Sequence, residues 1–438
     1  MSANIISERI DNSPISFGQY AVIVICFILN MLDGFDIVSM SVVASTVSEA
    51  WSIEPEKRGL ILSAALVGMT LGATFIAPFC DKFGRRKMML IGAVVTGLAM
   101  LITGFLPQSI ILLIIIRIIT GLGIGVIMAS TTAITTEYTP ARWRNLTVPI
   151  IVSGYAFGAM MASPIANYIM PMWGWEAVFI FGGSFTLATA FVMFFLLPES
   201  INFMANQKDN RDMWLSRVNK MLIRINCAPI DALPPIMENV KVANVASLLQ
   251  PAYISITLRF WVIFFAGLLS LYFFLTWTPS LLVDNGLTRS QGNYALFLFN
   301  LGGVLGIWLI GYLTTRVNLT KTIAICFALG TVSMVYLALS QTNSLETLYI
   351  FFFIIGWLFQ AGFTAMYTVV SRSYPSIIRA TGIGWAIGLG RTGAIVAPII
   401  VGILVDRFDW HIFDLFILFA CPLALMALLV APIKMRDT

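Results

Sequence analysis

Four ionisable side chains stand where a charge is hardest to place, inside long runs of apolar residues. Asp33 and Asp36, in Asp33-Gly34-Phe35-Asp36, lie within the first such run. A carboxylate at the centre of a bilayer costs at least ~2.5 kcal/mol on insertion scales, so it persists only with a partner, water or a task. Positions i and i+3 share one helical face, so both carboxyls address one cavity. Burial and mutual repulsion make it costly to ionise both, which suits a site that loads and releases a proton. The alternative is a hydrated pair near a helix end. Arg117 opens Arg117-x3-Gly121-x3-Gly125 in the run 110–127. The glycines let a second helix approach closely, and the guanidinium needs a partner. The carboxylates of the first run are candidates, in a coupling role or as a structural ion pair.

Arg391 lies in Gly388-Leu389-Gly390-Arg391-Thr392-Gly393. The string matches the dinucleotide fingerprint formally, but no strand precedes it and it sits inside an apolar run, so that reading is rejected. A guanidinium fork suits a carboxylate. Arg391 is therefore expected to grip an anionic substrate, the alternative being a salt bridge between helices. Asn300 and Gln360 are lone amides in apolar runs and need partners, so they join Arg391 as candidate substrate contacts. Tyr367 and Trp385 are the aromatic candidates, from a wider set with Tyr272, Trp277, Phe299, Trp357 and Phe359.

A different cluster, Asp81-Lys82-Phe83-Gly84-Arg85-Arg86-Lys87, follows the second run. A tight turn at Gly84 gathers four cations beside one acid. The charges orient the chain in the membrane, and they also suit a conformational latch. Asp81 would cap a helix N-terminus or pair with Arg144, with Arg85 and Arg86 completing the latch.

The elements that must carry these residues follow from composition. The chain has 438 residues, 59% hydrophobic and only 11% charged, against about 25% charged in soluble domains. A spanning helix needs about 20 apolar residues. Runs of that kind place twelve spans at 17–43, 59–79, 88–106, 109–133, 146–169, 175–197, 258–282, 291–313, 320–340, 346–370, 380–404 and 411–432. The first is read as a span and not a signal peptide, because its flank is not net positive. Of the 26 Lys and Arg, twenty fall on one side when loops are assigned alternately, and Lys57, Arg58, Arg289 and Arg407 on the other. The positive-inside rule makes the crowded side, with both termini, cytoplasmic. The net charge of +5 thus reports topology and not a nucleic-acid partner. Five scattered cysteines form no CxxC pair, so neither a disulfide framework nor a zinc site is implied.

The polar stretch 199–257 divides the chain into an N-terminal bundle (1–198) and a C-terminal bundle (258–438), and is read as a cytoplasmic linker with amphipathic parts. The halves repeat at a constant offset: Pro140 to Pro375, Arg144 to Arg379, Gly121 to Gly356 and Trp175 to Trp410 are each 235 residues apart. The expected fold is an all-α membrane protein of twelve transmembrane helices in two pseudo-symmetric six-helix bundles. Parallel six-span repeats of this kind place a substrate site between the halves near the midplane.

At these residues the chain resembles the aromatic acid:proton symporter family of the major facilitator superfamily, over nearly its whole length. Asp33-Gly34-Phe35-Asp36 is similar to that family's motif in the first helix, whose acids are needed for transport. Asp81 to Lys87 resembles the superfamily's loop motif, and Arg117-x3-Gly121-x3-Gly125 the fourth-helix motif tied to proton coupling. Trp277-x-Pro279, Asn300 to Gly303 with Gly306, and Arg379-Ala-Thr-Gly382-x-Gly384-Trp385 with Gly390-Arg391-x-Gly393 resemble further family blocks, the last implicated in substrate handling. Two departures weaken the loop motif: Ala77 stands where Gly opens it, and Thr315 where the second-half copy often has an acid. The resemblance implies alternating-access uptake of an aromatic or related small organic carboxylate with protons. It implies a multi-pass inner-membrane protein, monomeric, driven by the proton motive force without a cofactor. The competing function is proton-driven efflux of drugs or aromatic compounds by antiport. No nucleophile elbow, phosphate loop or metal cluster supports an enzyme.

Overall fold

The computed structural model describes residues 5–235, 244–313, 318–341 and 344–433. Thr315 and Arg316 of the second-half loop motif lie outside them, as do Lys241, Lys434 and Arg436 from the charge tally. Twelve helices are long and apolar enough to cross a membrane: α1 (Phe17–Trp51), α2 (Pro55–Phe83), α3 (Arg85–Thr103), α4 (Ile110–Tyr138), α5 (Ala141–Trp173), α6 (Glu176–Leu196), α7 (Ile254–Asp284), α8 (Arg289–Leu313), α9 (Leu319–Ser340), α10 (Leu345–Ser373), α11 (Ser376–Phe408) and α12 (Ile412–Val430). Every expected span is present, and the described residues contain no strand.

The helices outrun the expected spans at their ends. α1 has 35 residues, about 52 Å at 1.5 Å per residue, whereas the hydrocarbon is about 30 Å thick. The surplus, residues 44–51, mixes Ser, Thr and Glu with apolar residues and stays largely buried as far as Ser48, so a hydropathy window does not score it. Ser16 starts α1 with a capping box: its hydroxyl accepts the Gln19 N–H at 3.4 Å and the Gln19 amide oxygen accepts the Ser16 N–H at 2.8 Å. α2 is irregular near its far end, with a π turn at Gly72–Ile76 and a 3-10 turn at Ala77–Phe79. Pro78 explains the break, since it supplies no N–H to the preceding turn and its ring crowds the carbonyl four residues back.

Helix pairing repeats between the halves. In the first, α1 packs on α5, α2 on α4, and α3 on α4 and α6; in the second, α7 packs on α11, α8 on α10, and α9 on α10 and α12. The bundles meet through α2 on α11, α5 on α8 and α1 on α7. Under a shift of six helices the first two of these contacts exchange and the third maps onto itself, as a duplicated chain requires. Small residues set the closest crossings. A Cβ at Gly121 would sit on the Ala65 carbonyl of α2, and one at its repeat partner Gly356 on the Phe299 carbonyl of α8. Gly384 and Gly388 behave otherwise. Close packing is their default reading in sequence, yet a Cβ at either would meet nothing within 4 Å.

Two short helices and the amphipathic helix Arg211–Arg224 follow α6, and this last buries Val218 and Leu222. Twelve alternating spans put the start of α1, the end of α12 and this segment at one end of the bundles, called here the terminal end.

This packing predicts opposite outcomes for two glycine substitutions. A Cβ at Gly158 would overlap the Met31 carbonyl of α1, so Gly158→Val should cost at least ~1–3 kcal/mol, read as a lowered Tm in detergent. Gly384→Ala should leave Tm unchanged. Equal melting of both variants would refute the packing account.

Candidate functional site

The middle of α1 carries the two carboxyls, and they have different surroundings. Asp36 is wholly buried. Its Oδ1 accepts from Arg117 Nη1 of α4 at 2.7 Å, and its backbone carbonyl accepts from Arg117 Nη2 at 3.2 Å. The guanidinium also lies 5.7 Å from the Phe179 ring of α6, a cation–π contact in a desolvated setting. Gly121 and Gly125 seat α4 against α2, where a Cβ on either would meet the Ala65 or Met69 carbonyl. That close fit fixes the depth of Arg117 beside α1. Asp33, one turn away, is 2% exposed; no ion pair is described for it and its Oδ2 has no hydrogen-bond partner. The sequence placed both acids on one cavity face; the structure gives one to an arginine and leaves the other unpaired.

A polar string leads from these acids to the other bundle. Gly34 backs onto the Tyr155 backbone of α5, which brings Tyr155 close to both carboxyls of α1. The Tyr155 hydroxyl is 3.1 Å from the Tyr272 hydroxyl of α7. Tyr272 and Tyr367 in turn lie within the field of Arg391. Tyr155 was not among the sequence candidates; a tyrosine amid apolar residues carries no distinguishing signal.

Arg391 is half-buried on α11. Its Nη1 donates to the Met69 carbonyl of α2 at 3.2 Å, and no ion pair is described for it. The salt-bridge alternative therefore has no support among the described residues. Gly384, Gly388 and Arg391 are spaced i, i+4, i+7 and share one face of α11. Open space at both glycines makes that face a lane running from the terminal end to the guanidinium. Trp385, 43% exposed, lies 6.1 Å from Trp261, and Tyr367, 37% exposed, packs on Phe264 at 5.2 Å. Gln360 is buried against Gly303 with its amide nitrogen unpartnered. Asn300 is buried too, but its amide donates to Leu296 O of its own helix at 3.0 Å. Phe299 and Phe359 are core residues, and Trp277 is fully buried with its indole N–H on the Pro398 carbonyl at 3.1 Å.

Contacts across the bundle interface are confined to one half of its depth. Away from the terminal end, Arg407 forks onto Glu56 at 2.9 and 3.0 Å, Arg58 pairs with Asp284 at 3.1 Å, Arg289 with Glu49, and Asn293 donates to Asn167 at 2.8 Å. Three of the four cations assigned to the sparse side thus join the two bundles. On the terminal side of Tyr155–Tyr272 and Arg391–Met69, no hydrogen bond or ion pair between bundles is described. Among the described residues, the polar contacts that tie the bundles together therefore lie at mid-depth and away from the terminal end.

The loop cluster departs from its expected pairing. Arg144 donates to Asp11 at 3.0 Å and to the Thr139 carbonyl at 2.9 Å, while Asp81 is exposed and only 3.4 Å from Arg85. The proposed Asp81–Arg144 pair is absent because Asp11, on the short helix Ile5–Asp11, reaches Arg144 first. Asp81 caps no helix either; the cap of α3 is Gly84, at φ 98°. Arg85 instead pairs with the buried Glu137 of α4, and Glu199 accepts from the Arg86 N–H at 2.9 Å. Glu137 went unread in sequence although a lone acid inside an apolar helix was the available signal.

The Asp36–Arg117 pair yields a stability prediction. Removing one partner of a buried pair costs ~3–5 kcal/mol because it strands the other charge. Arg117→Gln alone should lower Tm sharply, and Asp36→Asn in the same chain should restore most of the loss. A double variant no more stable than the single would dismiss the pairing.

The comparisons with known proteins agree with this geometry. The family model described as Major Facilitator Superfamily matches residues 26–288 and 260–437. A gallate transporter of Pseudomonas putida is 31% identical, with 91% of this chain and 88% of that protein aligned. The 4-hydroxybenzoate transporter PcaK of Pseudomonas aeruginosa is also 31% identical, over 88% of this chain and 86% of its own. The inward-open structure of the xylose transporter XylE from E. coli superposes with a TM-score of 0.72 at 16% identity, covering 94% of this chain and 95% of that one, and so shares the fold. The chain belongs to the major facilitator superfamily, in its aromatic acid:proton symporter family, and is a membrane transporter and not an enzyme.

Proposed function

We propose that this transporter carries a small aromatic carboxylate into the cell together with protons, binding it at Arg391 between the bundles. The observation that carries the reading is Arg391 itself. A guanidinium at mid-depth with no counter-ion described, near Tyr272 and Tyr367 and on the helix face that Gly384 and Gly388 leave clear, suits a ligand that brings both a carboxylate and a ring. Such a pair of charge-assisted hydrogen bonds is strong at low dielectric. The names of the relatives, a gallate transporter and a 4-hydroxybenzoate transporter, support the substrate class. Gln360, whose buried amide nitrogen has no described partner, is the candidate for a ring hydroxyl. Asn300, whose amide is engaged within α8, would contact substrate only after a rotamer change.

Asp33 is the proton carrier in this reading, being buried and unpaired, whereas Asp36 and Arg117 hold α1 against α4. The positive-inside rule assigns the terminal end to the cytoplasm of a cell inner membrane, so the side on which no polar contact between bundles is described faces inward in this reading. Residues 1–198 and 258–438 act as the two rocking bodies joined by the linker 199–257, in a monomer that draws on the proton motive force. The ion pairs Arg407–Glu56, Arg58–Asp284 and Arg289–Glu49 then form the outer gate, and Arg85, Arg86 and Gly84 with Glu137 and Glu199 brace the inner loop.

Uptake of labelled 4-hydroxybenzoate by cells expressing the chain, with and without a protonophore, tests this reading. Accumulation should vanish with the protonophore, and added substrate should alkalinise a weakly buffered medium. Alkalinisation on efflux of preloaded substrate, as external protons enter in exchange, would instead establish antiport. Arg391→Gln should weaken uptake about 10- to 100-fold, the worth of a charged hydrogen bond. Asp33→Asn should lose accumulation yet keep exchange of internal for external substrate. Wild-type accumulation in Asp33→Asn would remove that residue from coupling.

A further inference from the structure

A groove of about 470 Å³ lies on the N-terminal bundle at the terminal end, where the α2–α3 turn, the end of α6 and the helix Arg211–Arg224 meet. None of the residues near Arg391 lines it, and apart from Arg86 and Glu199, which brace the inner loop, its wall has no part in transport as derived above. Five cations line it: Arg86, Lys87, Arg217, Lys220 and Arg224. Glu199 is the only acid on its wall, and Glu199 Oε1 already accepts from the backbone N–H groups of Arg86 and Ser200, each at 2.9 Å. No ion pair is described for any of the five cations. The rest of the wall is aromatic and apolar, including Phe83, Phe195 and Trp214.

The depth of the groove is set by its neighbours. Phe191, Phe194 and Phe195, in the last turns of α6, are 56–68% exposed, and exposed rings on a spanning helix face acyl chains. The cations begin where this apolar belt ends, at headgroup level, where basic side chains meet lipid phosphates. The helix Arg211–Arg224 buries Val218 and Leu222 on the bundle, which leaves Arg217, Lys220 and Arg224 exposed along the groove. The Arg217 guanidinium is steadied 4.7 Å above the Trp214 ring. A volume of this order takes a drug-sized ligand, and net positive charge beside an apolar wall selects one that is anionic at one end and apolar at the other.

We propose that this groove is a binding site for an anionic phospholipid, its phosphate held by Arg217, Lys220, Arg224 and Lys87 and its acyl chains running down α6 past Phe195 and Phe191. A free phosphate would use the charges and ignore the rings.

The test is native mass spectrometry of the full chain in detergent, titrated with phosphatidylglycerol or with phosphatidylcholine of the same acyl chains. Phosphatidylglycerol should be retained with saturation and phosphatidylcholine should not. Arg217→Gln, Lys220→Gln and Arg224→Gln together should weaken phosphatidylglycerol binding about a hundredfold, near the worth of three charges at a membrane surface. The charge-keeping variant R217K/K220R/R224K should bind like the parent chain. Should the triple glutamine variant prove unfolded by its Tm, Lys220→Gln alone decides, with an expected loss of about fivefold. Equal retention of the two lipids, undiminished binding in the glutamine variant that folds, or displacement of phosphatidylglycerol by equimolar inorganic phosphate would each overturn the site.

Discussion

A charge at low dielectric must be paired, wetted or neutralised, and this constraint orders the interior of the protein. Asp36 and Arg117 meet it by pairing, with a hydrogen bond of 2.7 Å between side chains that are 0% and 1% exposed. Taking two charges out of water costs about as much as their attraction returns, so the pair is better understood as a fixed join of α1 to α4 than as a source of stability. Arg391 meets the same constraint differently. It borrows a carbonyl from α2 and faces an open lane. Asp33 meets it least, having neither ion pair nor a partner for Oδ2. The two groups least satisfied by the protein are the two best placed to exchange partners during a transport cycle.

The same logic separates the ends of the molecule. Away from the termini, Arg58, Arg289 and Arg407 are each spent on an acid of the opposite bundle. Such pairs lie partly in water, where an ion pair is worth only ~0–1 kcal/mol. Several weak pairs in parallel suit a closure that must open again. At the terminal end the cations turn to their own bundle, Arg85 to Glu137 and Arg144 to Asp11. Among the described residues nothing polar joins the bundles there.

Backbone approach does the remaining work. Gly34 and Gly158 let α1 and α5 touch, and Gly121 and Gly125 do so for α4 and α2. Without a hydrophobic drive between helices in lipid, close van der Waals contact is what holds them. Where glycine faces empty space, as at Gly384 and Gly388, it contributes width instead, on the face that leads to Arg391.

The number of spans, the duplication at an offset of 235 residues and the identity of the buried charges were all legible in sequence, because bilayer thickness, the helical repeat and the cost of burying charge act locally on the chain. Pairing was not. Nothing in the spacing of Asp33 and Asp36 says which one Arg117 takes, since the choice depends on how far Gly121 and Gly125 let α4 slide beside α2. Asp81 and Arg144 looked complementary, yet Asp11 and Glu137 intervene from helices distant in sequence. Gly384-x3-Gly388 reads like a packing motif identical in form to Gly154-x3-Gly158, and only the rotation of α11 within its bundle decides that one faces a helix and the other open space. Composition determined what the chain must bury; the assembled bundles determined which partner each buried group receives, because partners 52 to 351 residues apart are brought together by packing alone.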